Sequence, residues 1–308
     1  MFSVFDAHCD TAGILLDEKQ ELFKNSHHLD IKRINDLNTT YVQVFAAFAS
    51  GSSPFKRADS IINCYHSQTG KNSDIAHCTT YAEMQRAIEN KKIASFLSVE
   101  GGDALEGNEE NLEYFHSRGV RIFTLSWNFK NEICSGNADE KDFGISPFGE
   151  KVVKKIENLG IIADASHISE KSFWDLCCLA KNPFIASHSN AKAICYHKRN
   201  LTDEQIKAVI EKNGCIGINF YPPFLTNKSS CGIKDIINHT EHILSLGGEK
   251  NVGFGSDFDG VDFLPKGING VESYFNLAEE FLKLGYSKAL LQDIFFNNFA
   301  RVIKTVLK

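Results

Sequence analysis

Eight short apolar runs, each followed by an amphipathic stretch, constrain this chain more than any other feature of its sequence. The runs cover 4–6, 41–48, 93–99, 120–125, 160–165, 184–186, 215–220 and 252–255. They are rich in Val, Ile, Phe and Ala and read as strands buried on both faces. Helical stretches at 80–92, 108–118, 147–159, 169–181, 202–213 and 233–246 lie between them. Thr202-Asp-Glu-Gln205 supplies a capping box, and Gly119, Gly160 and Gly214 stand where helices should stop. Eight strands alternating with helices imply an α/β fold with a closed parallel sheet, a TIM-type (β/α)8 barrel. The 308 residues suit one such domain over 1–308, with helices in the tail 271–308 closing the barrel wall. A doubly wound open sheet is the rival, but its crevice usually carries a glycine phosphate fingerprint after the first strand. Phe5-Asp-Ala-His-Cys-Asp-Thr11 has none. The polar segments 50–79 and 128–146 read as loop-rich and, following strands, are placed to shape the mouth of a site.

Composition narrows the function. A formal charge of −6 gives no basic patch for a phosphate backbone, so nucleic acid is a poor partner and small polar substrates remain open. No run reaches bilayer-spanning length, and the N-terminus has no cationic stretch followed by an apolar segment, so a cytoplasmic protein without membrane attachment is expected. Nine scattered cysteines without a CxxC pair fit reduced thiols, and Cys177 and Cys178 read as small buried side chains in a helix.

The chemistry-bearing residues sit at the C-terminal ends of separate runs. His8 and Asp10 end the first, Glu100 the third, His167 the fifth, His188 the sixth and Asp257 the eighth. Taken singly, each has a bland reading as a solvated or satisfied polar residue at a strand tip. Jointly they do not, because parallel strands of a barrel bring their C-terminal ends to one rim. His167 and His188 share the form apolar run, Ala-Ser, His, and are 21 residues apart, about one barrel repeat. Imidazole and carboxylate suit zinc, and a carboxylate can bridge two ions roughly 3.5–4 Å apart. Glu100, arriving between the two ligand groups, is the natural bridge. Two ions would lower the pKa of a shared water from about 15.7 toward about 7 and so supply hydroxide at neutral pH. Asp257 is the remaining carboxylate for the proton. Gly253-x-Gly255 is too short for a nucleotide fingerprint and points to close backbone packing.

The chain resembles the membrane (renal) dipeptidase family, peptidase family M19 of the amidohydrolase superfamily, over essentially its whole length. The motifs that carry the resemblance are Asp6-Ala-His-Cys-Asp-Thr11, Val99-Glu-Gly-Gly102, Gly144-Ile-Ser-Pro-Phe-Gly149, Asp164-Ala-Ser-His-Ile-Ser-Glu170, Ser187-His-Ser-Asn190, Lys198-Arg-Asn200 and Gly255-Ser-Asp-Phe-Asp-Gly260. The resemblance implies a metallo-dependent hydrolase with two Zn2+ per chain. His8 and Asp10 would hold one ion, His167 and His188 the other, with Glu100 bridging. Asp257 would transfer the proton, Arg199 would bind the substrate's C-terminal carboxylate and Tyr221 would contact the substrate. It further implies a dipeptide substrate, with C-terminal D-residues in range, and a homodimer. One position departs: the mammalian enzymes have a histidine after Thr-Leu-Thr, where this chain reads Thr124-Leu-Ser-Trp127. Indole donates one N–H and accepts no proton, so Trp127 bears on substrate contacts rather than on the metal cage. The rival functions are a metal-dependent phosphoesterase, another amidohydrolase such as an N-acyl amino acid or cyclic-amide hydrolase or a deaminase, and a non-catalytic metal-binding barrel.

Overall fold

The computed structural model describes residues 2–308. Nine parallel strands run through it: β1 (Val4–Cys9), β2 (Tyr41–Phe48), β3 (Ile75–His77), β4 (Ile93–Glu100), β5 (Val120–Thr124), β6 (Ile162–Asp164), β7 (Ile185–Ala186), β8 (Cys215–Ile218) and β9 (Val252–Phe254). Eight of them close a ring. β1 pairs with β2 and β9, β2 with β4, and β4 through β9 pair in succession. This is the expected (β/α)8 barrel. The short β3 stands outside the ring, pairing Ile75–His77 with the first residues of β4, below the point where β5 takes over that edge. Among the described residues no helix is long and apolar enough to cross a membrane.

Three helices before residue 72 were not read from the sequence, the short Thr11–Glu18 and Ile31–Asp36 and one longer helix. The stretch expected to be loop-rich after β2 holds Pro54–Lys71, an 18-residue helix that starts with proline in its first turn. Its buried Ala58, Ile61, Ile62 and Tyr65 fall three and four apart, a narrow apolar stripe set among polar residues. Tyr65 drops its hydroxyl onto Ser95 Oγ of β4 at 2.6 Å, fixing the helix against the barrel. The segment 128–146 is irregular as expected, pinned by isolated bridges Cys134 to Ile145 and Gly136 to Ile168.

The capping box forms as read. Gln205 N donates to Thr202 Oγ1 at 3.3 Å, and Thr202 N donates to Gln205 Oε1 at 2.9 Å. Gly119 and Gly160 end their helices at positive φ, but before Gly214 it is Asn213 that turns left-handed, with φ +54°. Gly214 is needed for space, since a Cβ there would lie 2.2 Å from Phe184 O. Close packing also explains the glycines of β8 and β9. A Cβ on Gly217 or Gly255 would fall 1.9 or 1.8 Å from Ser187 O, so bare backbone lets the last three strands of the ring approach under the site.

The tail does more than complete the wall. Phe5, Val42, Phe96, Ile122, Ile162, Ile185 and Cys215, from seven of the eight ring strands, form one buried cluster with Phe299, Val302 and Ile303 of the last helix, Asn298–Val306. Most of these strand residues lie near the N-terminal ends, so the helix plugs the end of the barrel away from the site. Phe299 stacks on Phe5 at 5.5 Å between ring centroids and covers the bare face of Gly253. Phe299→Ala should therefore cost about 3–5 kcal/mol of unfolding free energy; a urea-melt difference below about 1 kcal/mol would mean that the helix is not part of the barrel core.

Candidate metal centre and active site

The C-terminal rim brings all six ligand-type residues together. Glu100, the last residue of β4, stands at the centre with its two oxygens facing different partners. Oε1 lies 3.0 Å from His167 Nε2 and 3.4 Å from His188 Nε2, while Oε2 lies 3.6 Å from His8 Nε2. His8 Nε2 is also 3.3 Å from Asp10 Oδ2 and 3.9 Å from Asp257 Oδ1. His8, Glu100 and His188 form one group of possible ligand atoms within reach of a common point, and His8, Asp10 and Asp257 form a second.

The imidazoles are set to offer lone pairs. His167 Nδ1 faces Asn128 Oδ1 at 2.9 Å, so its proton belongs on Nδ1 and Nε2 is bare. Ser187 Oγ donates to Asp164 Oδ2 at 2.6 Å and can only accept from His188 Nδ1, 2.8 Å away, which leaves Nε2 of His188 bare as well. The two bare nitrogens face each other at 2.7 Å. Two bare acceptors cannot hydrogen-bond each other, so the pair calls for a positive charge that both can bind. His8 Nε2 is buried without a hydrogen-bond partner among the described residues. The donor set of imidazole and carboxylate therefore fits a metal centre.

Electrostatics agree. Burial pushes Asp10 up to about 7, with the Glu100 charge adding to the shift, and burial likewise raises Asp257. Burial lowers His167 to about 4, and Arg199 adds to that. His188 is held well below its ordinary value by burial and by His8. Burial would also depress His8, but Glu100 and Asp10 raise it well above the usual range. Crowded carboxylates thus demand positive charge at a point where two neighbouring imidazoles stay neutral.

Backbone strain concentrates here. His167, Asp257 and Asp259 all have positive φ, at +71°, +62° and +68°. Two buried carboxylates brace these turns, and their role was not legible in the sequence. Asp164 accepts from the backbone N–H groups of Ser166 and Ser187 and from the hydroxyls of Ser187 and Thr124. Asp6 accepts from the N–H groups of His8 and Ser256 and from Ser256 Oγ. Each aspartate thus ties a ligand-bearing strand end to the serine just before another rim residue, His188 or Asp257. The repeated Asp-Ala ahead of His8 and His167 is the trace they leave in the sequence.

The cage opens into a cavity of about 520 Å3 lined by Phe48, Trp127, Arg199, Tyr221 and Phe224 among others. Arg199 is buried, and its only side-chain hydrogen bond among the described residues runs from Nη2 to His188 O at 3.3 Å. Among the described residues it has no carboxylate partner of its own, and burial lowers its pKa to about 10. Trp127 packs edge-on to Phe48, ring centroids 4.9 Å apart, and tilts over His167 at 5.9 Å. Tyr221 lies against Phe224 and Phe263. All nine residues singled out in the sequence therefore meet at this rim.

The sequence model described as membrane dipeptidase, peptidase family M19, matches residues 1–308. The chain belongs to that family. It is a metallo-dipeptidase, a hydrolase of peptide bonds. A Klebsiella pneumoniae protein described only as uncharacterized, in the pqqA 5′ region, is 32% identical over 239 residues, 74% of this chain and 88% of that one. A metallo-peptidase of Rhodobacter sphaeroides, liganded with a phosphinate mimic of the dipeptide L-Ala-D-Ala, has a TM-score of 0.91 at 24% identity, covering 99% of both chains. The probable dipeptidase PvdM of Pseudomonas aeruginosa reaches 0.92 at 19%, covering 99% of this chain and 96% of that one. At these identities the structural likeness is one of fold, and the M19 membership rests on the sequence match.

Gly260 is a further residue on which this M19 rim depends. A Cβ there would lie 2.2 Å from Asp10 Oδ2 and 2.5 Å from Asp257 Oδ1. Its position is exposed, so Gly260→Ala should leave the melting temperature nearly unchanged while displacing both carboxylates. Metal titration followed by calorimetry should then show metal affinity reduced by about tenfold or more, in line with the loss of a shell that orients ligands.

Proposed function

We propose that the chain is a zinc-dependent dipeptidase with a two-ion site, and that 1–308 forms one catalytic domain. The observation that carries this reading is the division of Glu100, one oxygen toward His167 and His188 and the other toward His8. In this reading His8 and Asp10 hold one ion, His167 and His188 the other, and Glu100 spans both. Bound ions would polarise the scissile carbonyl and bring a water's pKa to about 7.

The protein's own side chains supply the remaining requirements. Arg199 offers a planar fork of donors to the substrate's C-terminal carboxylate. Asp257 accepts a hydrogen bond on Oδ2 from Asn219 Nδ2 at 2.8 Å, so Oδ1 is the oxygen left to take a proton and pass it to the leaving amine. Across the mouth from Arg199, Phe48 and Trp127 give the N-terminal residue an apolar wall that keeps water from the bond under attack. The Rhodobacter relative's L-Ala-D-Ala mimic supports including C-terminal D-residues in the substrate range.

Hydrolysis of an L-X-L and L-X-D dipeptide panel by zinc-loaded protein, with a chelated control, is the direct test. Asp257→Asn should lower kcat by about 10²–10⁴-fold with metal content unchanged, and loss of metal instead would make Asp257 a ligand. Glu100→Gln should weaken both ions together, and two retained metals per chain would count against a bridge. Full metal loading without turnover on any dipeptide would turn the reading toward another amide substrate.

A further inference from the structure

Asn219, the residue just after β8, is fully buried and has no role in the dipeptidase reading beyond one contact with Asp257. Its surroundings are more specific than a core amide requires. Nδ2 donates to Asp257 Oδ2 at 2.8 Å, and Oδ1 accepts from the backbone N–H of Tyr221 at 2.6 Å. This amide has one orientation, because a flip would set oxygen against the carboxylate and NH2 against the N–H. The Asn219 backbone is itself clamped. Asn190, two residues beyond His188, accepts from Asn219 N at 2.9 Å and donates to Asn219 O at 3.1 Å. The anchor is thus tied to a ligand-bearing turn, and its two ends reach different parts of the active site.

We propose that Asn219 is a positioning residue that sets Asp257 and Tyr221 with a single amide, turning Oδ1 of the carboxylate toward the reacting atoms and holding the aromatic wall of the substrate cavity in place. The need is local. Asp257 sits in a left-handed turn with φ +62°, and its side-chain direction depends on a partner that can only donate. Tyr221 opens the short helical turn Pro222–Leu225, whose prolines contribute no N–H, so its own N–H on Asn219 is the bond that fixes where the turn begins. The inference rests on the dipeptidase reading for what Asp257 and Tyr221 do, while the contacts stand on geometry.

Two variants separate the two ends of the amide. Asn219→Asp keeps an acceptor for Tyr221 N and replaces the neutral donor with a carboxyl that repels Asp257 or holds a proton in common with it, so that Asp257 is no longer a free base. It should lower kcat by about 30–100-fold, with KM within about threefold of wild type and metal content unchanged, the signature of an interaction made in the transition state. Asn219→Ala loses both ends and should also raise KM by about fivefold or more. The double variant Asn219→Asp/Asp257→Asn restores a donor–acceptor pair in reverse. It should recover the melting temperature lost in Asn219→Asp without recovering turnover. Wild-type kcat in Asn219→Asp would overturn the proposal. So would parallel loss of metal, melting temperature and kcat/KM in both single variants, with no recovery in the double, which would reduce Asn219 to a brace. The melting cycle reads the 219–257 bond without any substrate, so its failure is separable from that of the dipeptidase reading, which an inactive wild-type protein would reveal.

Discussion

Three carboxylates, those of Asp10, Glu100 and Asp257, surround His8 Nε2 at 3.3, 3.6 and 3.9 Å, and the rim of the barrel is organised around that concentration of negative charge. Left to themselves such groups would separate or take up protons. Here they are held by covalent attachment to a rigid ring, at the end of β4 and just beyond β1 and β9. The burial of Asp6 and Asp164 follows from the same constraint. Each spends its lone pairs on backbone N–H groups and serine hydroxyls that cross from one strand end to the next. The repulsive cluster is thus pinned by hydrogen bonds to charge, which are stronger than neutral ones.

The ring was largely legible in the sequence because buried parallel strands leave continuous apolar runs. All eight runs became ring strands, and the ligand-type residues stood where such strands must converge. The features that escaped did so for physical reasons. The helix Pro54–Lys71 buries so narrow a stripe that its polar residues dominate any window, although Ala58, Ile61, Ile62 and Tyr65 keep helical spacing. The strand Ile75–His77 is three residues long and exists only because β4 offers an unpaired edge there. Asn213 took the left-handed turn assigned to Gly214, whose missing side chain serves packing against Phe184. The braces Asp6 and Asp164 were invisible as braces because their partners lie far along the chain, in the case of Ser256 by 250 residues.

The site divides into two kinds of structure. The ligand cage sits on strand ends whose backbones touch, as the bare faces of Gly217 and Gly255 against Ser187 show. The substrate cavity is built from strand tips and the segments beyond them. Arg199 comes from the segment after β7, Tyr221 from the turn after β8, Phe48 from the end of β2 and Trp127 from just past β5. In the ring, β2, which ends at Phe48, and β7, which precedes Arg199, lie four strands apart, with β5 and Trp127 midway between them. A change at Trp127 alters what the cavity admits and also the ring packed over His167.

The helix packed into the far end of the barrel has a consequence for traffic. With Phe299 and its neighbours packed on the strand residues at that end, the far face of the barrel is closed by core, and the cavity lies on the C-terminal rim. Under the proposed reading, the substrate and both of its products must therefore use the same face of the barrel.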